Sequence, residues 1–599
     1  MGGSGPPLGW AGGIPYRSAL AARSRLSLDC APSLSAVREA VDLLDPDNGT
    51  GPPHPVSRIL LLGGYGGFGG RIARRLAAAG HEVLVAGRSI DKARAFCGDA
   101  PSLMPLALDR SRIATALEEH RPDIVVDASG PFQAMDHSIP KACIAAGVHY
   151  VDIADSRDFV CGIRALDDAA RAAGVILLSG ASSVPALSGA AVRHLAQGMD
   201  RVRAVEMAIS ASNKATAGPA VSAAIAGQVG QPLRIWRGQH WAKAFGWQEM
   251  RSVQFRCAGT GAITGRKVAL VDVPDLALLP ERLAGRPAVT FRAGTELRFQ
   301  NWALWLASWL VRWRLITTLA PLARFLHPLQ SLTRSLGSDR SAMIVRLFGD
   351  VAGQKVERRW TLIADRGDGP EIPTLSVAPI VARILSGQEA AGARDAAEAL
   401  TLSDYADAFG NLAIQHDRAE LPAPPSLYDR IMGDRFGQLP PEVRAIHDVF
   451  RDGGAAGEAT VTGASNPAAA LIARIMGFPK AGTHRLHVHF HEADGRESWT
   501  RNFGGRRFQS HLSQRGRWLV ERFGPFRFAF DLPGDAQGLT MVMRRWWIGP
   551  LPLPTWLAPR SPAREWAEGG RFHFDVPIAL PLIGRLVHYR GWLEPATIR

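Results

Sequence analysis

The segment RILLLGGYGGFGG, residues 58–70, limits the fold of this chain more than any other. Glycine inside a helix or strand costs conformational entropy, so a glycine cluster marks a tight turn or a close approach of the backbone to a ligand. The apolar run before the cluster is typical of a buried strand, and the residues after it have helical spacing. A strand that enters a helix through Gly64-x-Gly66-x-x-Gly69 predicts a dinucleotide-binding turn.

Each glycine of this motif has a physical role. Gly64 permits the tight turn, Gly66 lets the backbone approach a diphosphate, and Gly69 lets the helix pack closely on the strand. The helix N-terminus then favours a bound anion. We therefore predict that the whole turn holds the cofactor, through Gly63, Gly64, Gly66, Gly67, Phe68 and Gly69.

The end of the second predicted strand indicates which dinucleotide binds. NAD sites usually place an acidic residue there to accept the ribose hydroxyls. This chain has Arg88 and Ser89 at that position, with Lys92 one turn further on. Two cations and a hydroxyl suit a 2′-phosphate, so we predict NADP and keep NAD as the alternative. The other interpretation is that Arg88 caps its helix or points to solvent.

Short apolar runs alternate with helical segments from Arg58 to about Ser182, which predicts a parallel sheet wound on both faces. The later pattern predicts an α+β domain with an antiparallel sheet and then a strand-rich antiparallel domain. The predicted boundaries are a disordered extension at 1–56, a Rossmann NADP-binding domain at 57–185, an α+β substrate or dimerisation domain at 186–418 with an apolar helical segment at 301–336, a linker at 419–438, and a β-rich domain at 439–599.

Loops at the carboxyl ends of the predicted strands should line the cofactor crevice. Ser129, Gly130 and Pro131 follow the fourth strand, and we expect them to border the nicotinamide half of the site. No catalytic dyad stands out. The candidate acid or base groups, each of which could equally be a capping or core side chain, are His137, Tyr150, Asp152 and Asp155.

These motifs resemble a known family. GGYGGFGGRIARRL, AGRS, DIVVDASGPFQ, CIAAGVHYVDIAD and GASSVPALSG are similar to the saccharopine dehydrogenase-like family of NAD(P)-dependent oxidoreductases, over about 57–416. The resemblance implies a Rossmann domain and an α+β domain built around a mostly antiparallel sheet. Many relatives have Gly-Glu after YVDI, where this chain has Ala154, Asp155 and Ser156, so the resemblance transfers no catalytic carboxylate. Residues from about 440 to 596 resemble a bacterial domain of unknown function, through motifs such as ESWTRNFGGRRFQS and LVHYRGWLEP.

Composition excludes some classes of protein. An apolar share of 46% and a charged share of 21% over 599 residues indicate a multidomain globular protein. The five cysteines form no CxxC pair, which argues against a disulfide framework and favours a reducing cytoplasm. The net charge is +14, but it forms no run of five like charges and no nucleic-acid motif, so we expect no nucleic-acid partner.

Two further patterns leave alternatives open. Trp302, Trp305, Trp309 and Trp313 share a helical stripe, but 302–311 is apolar all round and shorter than the roughly 20 residues that a bilayer needs. We predict a core helix there, with an interfacial membrane helix or a pocket for a long apolar substrate as alternatives.

The second pattern is HVHFHE. It places His487, His489 and His491 on one face of a strand, because side chains there alternate with a period of two. We expect a solvated strand face and predict no metal.

Together these observations predict a cytoplasmic bacterial NADP-dependent oxidoreductase that transfers hydride to or from a small or lipid-like carbonyl or unsaturated substrate. The alternatives are a catalytically inactive NADP-binding sensor or scaffold, and a membrane-surface or lipid-binding protein. The sequence leaves open whether the chain forms a homodimer and whether it contacts the inner face of the membrane peripherally.

Overall fold

The computed structural model describes residues 56–214, 219–322 and 332–596. The predicted disordered extension, apart from Val56, lies outside the described residues. Among the described residues, no helix combines the length and the hydropathy that crossing a bilayer requires.

The first domain is a parallel sheet covered on both faces. Its elements are β1 (Arg58–Leu62), α1 (Gly69–Ala78), β2 (Glu82–Gly87), α2 (Ile90–Cys97), β3 (Leu103–Ala107), α3 (Ile113–His120), β4 (Ile124–Asp127), α4 (Ser138–Ala146), β5 (His149–Asp152), α5 (Arg157–Gly162), α6 (Asp167–Ala172) and β6 (Ile176–Ser179). Alternate residues of β1 pack into two separate cores: Ile59 and Leu61 with the Ile72 side of α1, Leu60 and Leu62 with the Leu117 side of α3. Burial of both faces explains why these strands are continuous apolar runs.

The strand order of this sheet is β3-β2-β1-β4-β5-β6, and all pairs are parallel. The chain moves outward from β1 to β3 and then returns to the other side of β1 as β4. The direction of winding reverses between β1 and β4, which opens a crevice at their carboxyl ends. This is the predicted Rossmann fold.

The second domain is built on a mixed sheet. The elements from this point to the barrel are α7 (Ser188–Ala196), β7 (Arg201–Ala211), α8 (Pro219–Gln228), β8 (Pro232–Arg237), β9 (His240–Phe245), β10 (Arg251–Phe255), β11 (Ile263–Leu270), α9 (Asp275–Arg282), β12 (Ala288–Thr295), α10 (Arg298–Arg312), β13 (Ser341–Val351), β14 (Gln354–Ala364), α11 (Val377–Leu385), β15 (Gly392–Asp395), α12 (Ala406–Gly410) and β16 (Ile414–Pro422). The sheet order is β10-β11-β12-β7-β13-β14-β16, in which only β12 and β7 run parallel.

One strand of this later segment belongs to the first domain. β15 pairs in parallel with β6 and is the seventh strand of the Rossmann sheet. The predicted range 57–185 does not include this strand. Its four residues, GARD, are too few to show a periodic pattern that predicts a strand. The second domain is therefore an insertion between the sixth and seventh strands, with β16 and α12 following.

The helix α10 differs from the expected core helix. It ends at Arg312, before the end of the helical segment predicted for 301–336. Short 3₁₀ turns follow at Ala320–Leu322 and Arg334–Leu336, and 323–331 lie outside the described residues. Its buried positions include Asn301, Ser308 and Val311. Large apolar side chains face outward instead, at Phe299, Trp302, Leu306, Leu310 and Trp313. The prediction failed because a helix that is apolar all round does not reveal which face is buried.

The third domain is a closed antiparallel barrel. Its elements are α13 (Leu427–Met432), α14 (Asp434–Gln438), α15 (Pro441–His447), β17 (Asp452–Thr462), α16 (Pro467–Ile475), β18 (Gly482–Ala493), β19 (Arg496–Phe503), β20 (Arg506–Arg515), β21 (Trp518–Phe523), β22 (Phe526–Asp531), β23 (Gly534–Asp535), β24 (Gly538–Ile548), β25 (Leu551–Leu553), β26 (Ala563–Glu568), β27 (Arg571–Leu580) and β28 (Gly584–Pro595). Pairing of β22 with β24 closes the ring, to which β23 and β25 are attached.

The predicted linker 419–438 is structured. Its first residues complete β16, which pairs with β14, and its last residues form α13 and α14. Leu427, Tyr428 and Phe436 of these helices are buried in the barrel core. The Pro-rich stretch LPAPPS indicated a linker, but only the few residues between β16 and α13 connect the two domains.

Candidate functional site

The glycine turn lies at the carboxyl end of β1, beside the crevice. The N–H of Gly64 donates to the carbonyl of Ala86 over 3.1 Å, which ties the turn to β2. The N–H of Gly66 donates to the carbonyl of Gly63 over 2.9 Å, and Gly63 has a positive φ of 71°. The turn is therefore closed on itself, and α1 begins directly after it at Gly69.

The turn can close on itself only because side chains are missing. A Cβ at Gly69 would overlap the carbonyl oxygen of Gly63, and one at Gly66 would lie 3.0 Å from the same oxygen. No side chain caps the N-terminus of α1. Among the described residues, none accepts a hydrogen bond from the N–H of Gly67 or Phe68. Free N–H groups at the positive end of a helix fit a diphosphate.

The end of β2 carries a residue that sequence reasoning missed. The ring of Tyr65 covers Gly87, where a Cβ would overlap it, and its hydroxyl accepts from the N–H of Ser89 over 3.0 Å. Ser89 Oγ caps α2 by accepting from the N–H of Lys92. Nothing but its position inside the glycine motif distinguishes Tyr65 in the sequence.

The two predicted cations at this end of β2 are exposed. Neither Arg88 nor Lys92 forms an ion pair with a described residue, and Arg88 makes no side-chain hydrogen bond that would cap a helix. Both are therefore available to a phosphate at the carboxyl edge of the sheet.

The loop after β4 is held by a buried carboxylate. Asp127, fully buried, accepts from Ser129 Oγ over 2.5 Å and from Arg110 Nη1 over 2.7 Å. Arg110 also bonds Ser129 Oγ. This contact fixes the segment that contains Gly130 and Pro131 at the edge of the crevice. Arg110 was not predicted, since it lies between β3 and α3 with no motif around it.

Two of the predicted acid or base groups are inside the protein. Tyr150 is fully buried in the core beneath the sheet. Asp152 is also fully buried, and its Oδ1 accepts from the N–H of Ala154 over 2.9 Å and of Gly180 over 2.8 Å. Burial raises the pKa of the Asp152 carboxyl to about 7, although these hydrogen bonds lower it. Asp152 thus joins the loops after β5 and β6 and does not face the crevice.

The other two candidates lie nearer the surface. His137 Nε2 contacts the carbonyl oxygen of Phe159 at 2.8 Å, and its ring packs on the Phe159 ring, so it holds α4 against α5. Asp155 is partly exposed and accepts from Gln133 Nε2 over 2.9 Å. Burial raises the pKa of the Asp155 carboxyl, and the bond from Gln133 lowers it. His137 is therefore held between two helices, whereas Asp155 is held by a side chain at the surface.

The three histidines of HVHFHE are not on a solvated face, so that expectation is wrong. His487 contacts the carbonyl oxygen of Gly238 in the second domain at 2.8 Å, and His491 lies 2.6 Å from Arg251. His489 contacts Asp452 at 2.7 Å. Burial lowers the pKa of His487 and of His491 to about 4 in each case. These side chains form the contact between barrel and second sheet, which a strand pattern alone cannot reveal.

Two family models match this chain. Residues 59–178 match the saccharopine dehydrogenase NADP binding domain, and residues 439–593 match a domain of unknown function, DUF4166. The first match covers the glycine turn, β2 and the loops after β4 and β5. Both resemblances drawn from the motifs are thereby confirmed. No curated protein matches the chain.

The solved structures that align with this chain include several dehydrogenases. Saccharopine dehydrogenase (L-Glu forming) from Saccharomyces cerevisiae is 12% identical, with 61% of this chain and 100% of that chain covered and a TM-score of 0.43. Amine dehydrogenase from Mycobacterium smegmatis is 13% identical, with 58% and 96% covered and a TM-score of 0.31. GenD2 from gentamicin A biosynthesis, solved with NAD, is 14% identical, with 61% and 97% covered and a TM-score of 0.29. The assignment of a nicotinamide dinucleotide site rests on the family model and on the strand order.

Proposed function

We propose that this chain, which carries a saccharopine dehydrogenase-type NADP binding domain at residues 59–178, is an NADP-dependent oxidoreductase. The observation that carries the proposal is the glycine turn at the β1–β4 crevice. The N–H groups of Gly67 and Phe68 have no acceptor among the described residues, and they lie just before the N-terminus of α1. Such a turn recognises a diphosphate through the backbone, which binds the charge without selecting the nucleotide.

The preference for NADP over NAD is supported by charge at the end of β2. Arg88 and Lys92 are exposed there and have no ion-pair partner among the described residues. An acidic residue, which would accept the ribose hydroxyls of NAD and repel a 2′-phosphate, is missing from residues 87–90. Arginine binds phosphate with two parallel hydrogen bonds, so Arg88 is the residue expected to select NADP.

The chemistry follows from what the crevice offers beside the cofactor. When bound, a nicotinamide ring gives or takes a hydride. Reduction of a carbonyl also needs a proton, and oxidation of an alcohol needs a base. Asp155 can hold that proton, since its raised pKa keeps the carboxyl protonated to a higher pH than an exposed aspartate. Gln133 orients the carboxyl through its bond to Oδ1. We therefore assign the substrate as a carbonyl or unsaturated compound, small or lipid-like.

A second candidate function is favoured by the same site. His137, Tyr150 and Asp152 are all held in structural contacts, so catalysis would depend on Asp155 alone. A protein that binds NADP without turning it over, as a sensor or scaffold, fits that arrangement.

One experiment separates the two functions. The purified full-length protein is mixed with NADPH and a panel of short-chain and long-chain aldehydes, ketones and enones, and the loss of NADPH absorbance is followed. An oxidoreductase oxidises NADPH with at least one class, and Asp155→Asn lowers kcat about 100-fold or more, in the range of acid–base contributions. Asp158→Asn is the control, because this neighbouring carboxylate is exposed on α5.

Saturable NADPH binding without oxidation of any substrate in either direction would favour the sensor. If Asp155→Asn leaves turnover unchanged, the protein is an oxidoreductase, but Asp155 takes no part in its mechanism.

A further inference from the structure

The barrel encloses an apolar cavity of about 310 Å³, which lies in the range of small-ligand pockets. Its walls are mostly phenylalanine, leucine, isoleucine and methionine side chains, among them Phe528, Phe530, Met541, Met543 and Phe574. An eight- to ten-stranded barrel can fill its interior with side chains or hold a ligand there. The presence of this space identifies an interior that takes a long apolar molecule.

The cavity has a polar group in one wall. Arg501 lies 3.6 Å from Glu521 and donates to Ser510 Oγ over 2.9 Å. Glu521 is 7% exposed, and among the described residues its Oε1 has no hydrogen-bond partner. That oxygen is paired with Arg501 across 3.6 Å but accepts no hydrogen bond from a described residue, so it can still accept one from the polar group of a ligand. The ligand class that suits these walls is a long aliphatic chain with a polar end.

One end of the barrel is surrounded by exposed apolar side chains. The hairpin between β24 and β25 carries Ile548 and Leu551, the turn between β27 and β28 carries Leu582, and α16 lies beside that turn through a bond from Asn466 to the carbonyl of Ile583. Leu551 is 61% exposed and Leu582 is 98% exposed. We call this end, with Trp556 and with Leu471 and Ile475 of α16, the mouth.

The mouth is continuous with the cavity. Ile548 contributes to the cavity wall and is also 41% exposed. Ile472 and Met476 of α16 and Leu580 of the β27 end line the same cavity from this side. The apolar rim and the apolar interior therefore form one surface, and a chain passing through the mouth would contact mainly apolar side chains.

The charge around the mouth has one sign. The segments 463–481, 548–562 and 576–585 contain no aspartate or glutamate. They contain four exposed cations, Arg474, Lys480, Arg560 and Arg585. The opposite end of the barrel has turns with acidic residues, such as Glu492 and Asp494 between β18 and β19. Exposed leucine and tryptophan within a cationic ring match the interface of an anionic bilayer.

A second copy of this chain is a poorer occupant. A symmetric dimer through the mouth would place the same four cations of both copies against each other, with no acidic residue in the three segments to pair with them. An anionic lipid surface supplies the opposite charge and covers the apolar rim.

We propose that the barrel is a lipid-binding domain which docks through its mouth on an anionic membrane and takes one long acyl or alkyl chain into its cavity. This proposal does not depend on the cofactor site, because all the residues of the cavity and the mouth lie in the third domain. Docking would place the reductase half of the chain next to lipid-like substrates.

The docking step is tested by sedimentation of the full-length protein with vesicles at low salt. The wild type should sediment with vesicles of phosphatidylcholine and phosphatidylglycerol, and should stay in the supernatant with phosphatidylcholine alone. The double change Leu551→Glu and Leu582→Glu should weaken the anionic binding at least about tenfold, because it replaces two exposed apolar side chains of the mouth with negative charges that an anionic surface repels. Leu306→Glu on α10 is the matched control, as Leu306 is 64% exposed.

The cavity is tested with a fluorescent long-chain fatty acid. The wild type should bind it, Val576→Trp should lower the affinity by filling the cavity, and Val520→Trp on the outer face of β21 should not. Failure of the wild type to bind anionic vesicles would overturn the proposal. Vesicle binding that is lost in Leu306→Glu but kept in the double variant would also overturn it. A dimer that light scattering detects in the wild type but not in the double variant would show that the mouth binds a second copy of the chain instead of a membrane.

Discussion

At the scale of single residues, the account depends on which polar side chains face the crevice and which are held inside. The four acid or base candidates had equivalent sequence contexts, and contacts from distant elements separate them. Gly180 bonds Asp152, Phe159 packs on His137, and Gln133 orients Asp155. Each partner is 20 or more residues away, so no local pattern could have ranked them.

Arg88 is predicted to select NADP. Arg88→Asp should weaken NADPH binding by about 10- to 100-fold, since a hydrogen bond to a charged group contributes roughly 1.5–3 kcal/mol. NADH binding should change less than about threefold. Equilibrium fluorescence titration measures both, and Arg94→Asp, at an exposed position on α2, controls for net charge. Equal losses for NADPH and NADH would contradict the assignment.

Asp152 should make stability depend on pH. Its pKa is raised to about 7 in the folded chain, from about 3.9 in an unfolded one. Between pH 4 and pH 7 the folded state keeps a proton on Asp152 that the unfolded state has lost. The free energy of unfolding therefore falls as the pH rises through that window.

Asp152→Asn keeps an oxygen for both N–H donors but cannot ionise. Its stability relative to the wild type should rise by up to about 4 kcal/mol from pH 4 to pH 7, measured by urea unfolding. Asp158→Asn should show no such trend. A pH-independent difference for Asp152→Asn would remove the proposed burial effect.

At the scale of elements, the glycine turn shows how much a local pattern can predict. The residues of GGYGGFGG predicted a turn, a helix start and an anion site, and the strand–turn–helix context is present as expected. The sequence could not indicate that Tyr65 covers Gly87, because this contact joins the turn after β1 to the end of β2. Likewise β15 and the interface histidines depend on pairing partners that lie more than 200 residues away.

Two adjacent glycines give a test of the turn. A Cβ at Gly69 meets the backbone of Gly63, which cannot move without opening the turn, whereas a Cβ at Gly70 meets the ring of Phe96 at 2.8 Å, a side chain that can shift. Gly69→Ala should therefore abolish measurable NADPH binding and destabilise the chain by about 1–3 kcal/mol. Gly70→Ala should bind NADPH within about threefold of the wild type. Similar behaviour of the two variants would contradict the close packing of turn and helix.

At the scale of the whole molecule, one largely buried carboxylate, whose side chain is 13% exposed, links barrel and second sheet. Glu206 of β7 accepts from Arg451, which precedes β17, over 2.8 Å, and lies 3.4 Å from Arg346. Burial disfavours its charge, but these guanidinium groups hold the pKa of Glu206 well below its usual range. Arg451 lies within the DUF4166 match, but Glu206 lies between the two family matches, so neither match predicts this contact.

Glu206→Gln should leave several buried arginines without their counter-charge. We expect a loss of about 3–5 kcal/mol in the free energy of unfolding, measured in urea at neutral pH. Glu594→Gln, which breaks the exposed pair with Arg571, should cost less than about 1 kcal/mol. Comparable effects would show that the interface does not depend on Glu206. Because the pKa of Glu206 is lowered, its contribution is present at neutral pH and is lost on acidification.

The central claim is that the turn at residues 63–69 holds the diphosphate of NADP. Calorimetric titration of the wild-type chain with NADPH tests it most directly. The account predicts saturable binding of one NADPH per chain, weaker binding of NADH, and no heat of binding with Gly69→Ala. A cooperatively folded wild-type protein that takes up neither dinucleotide would contradict it.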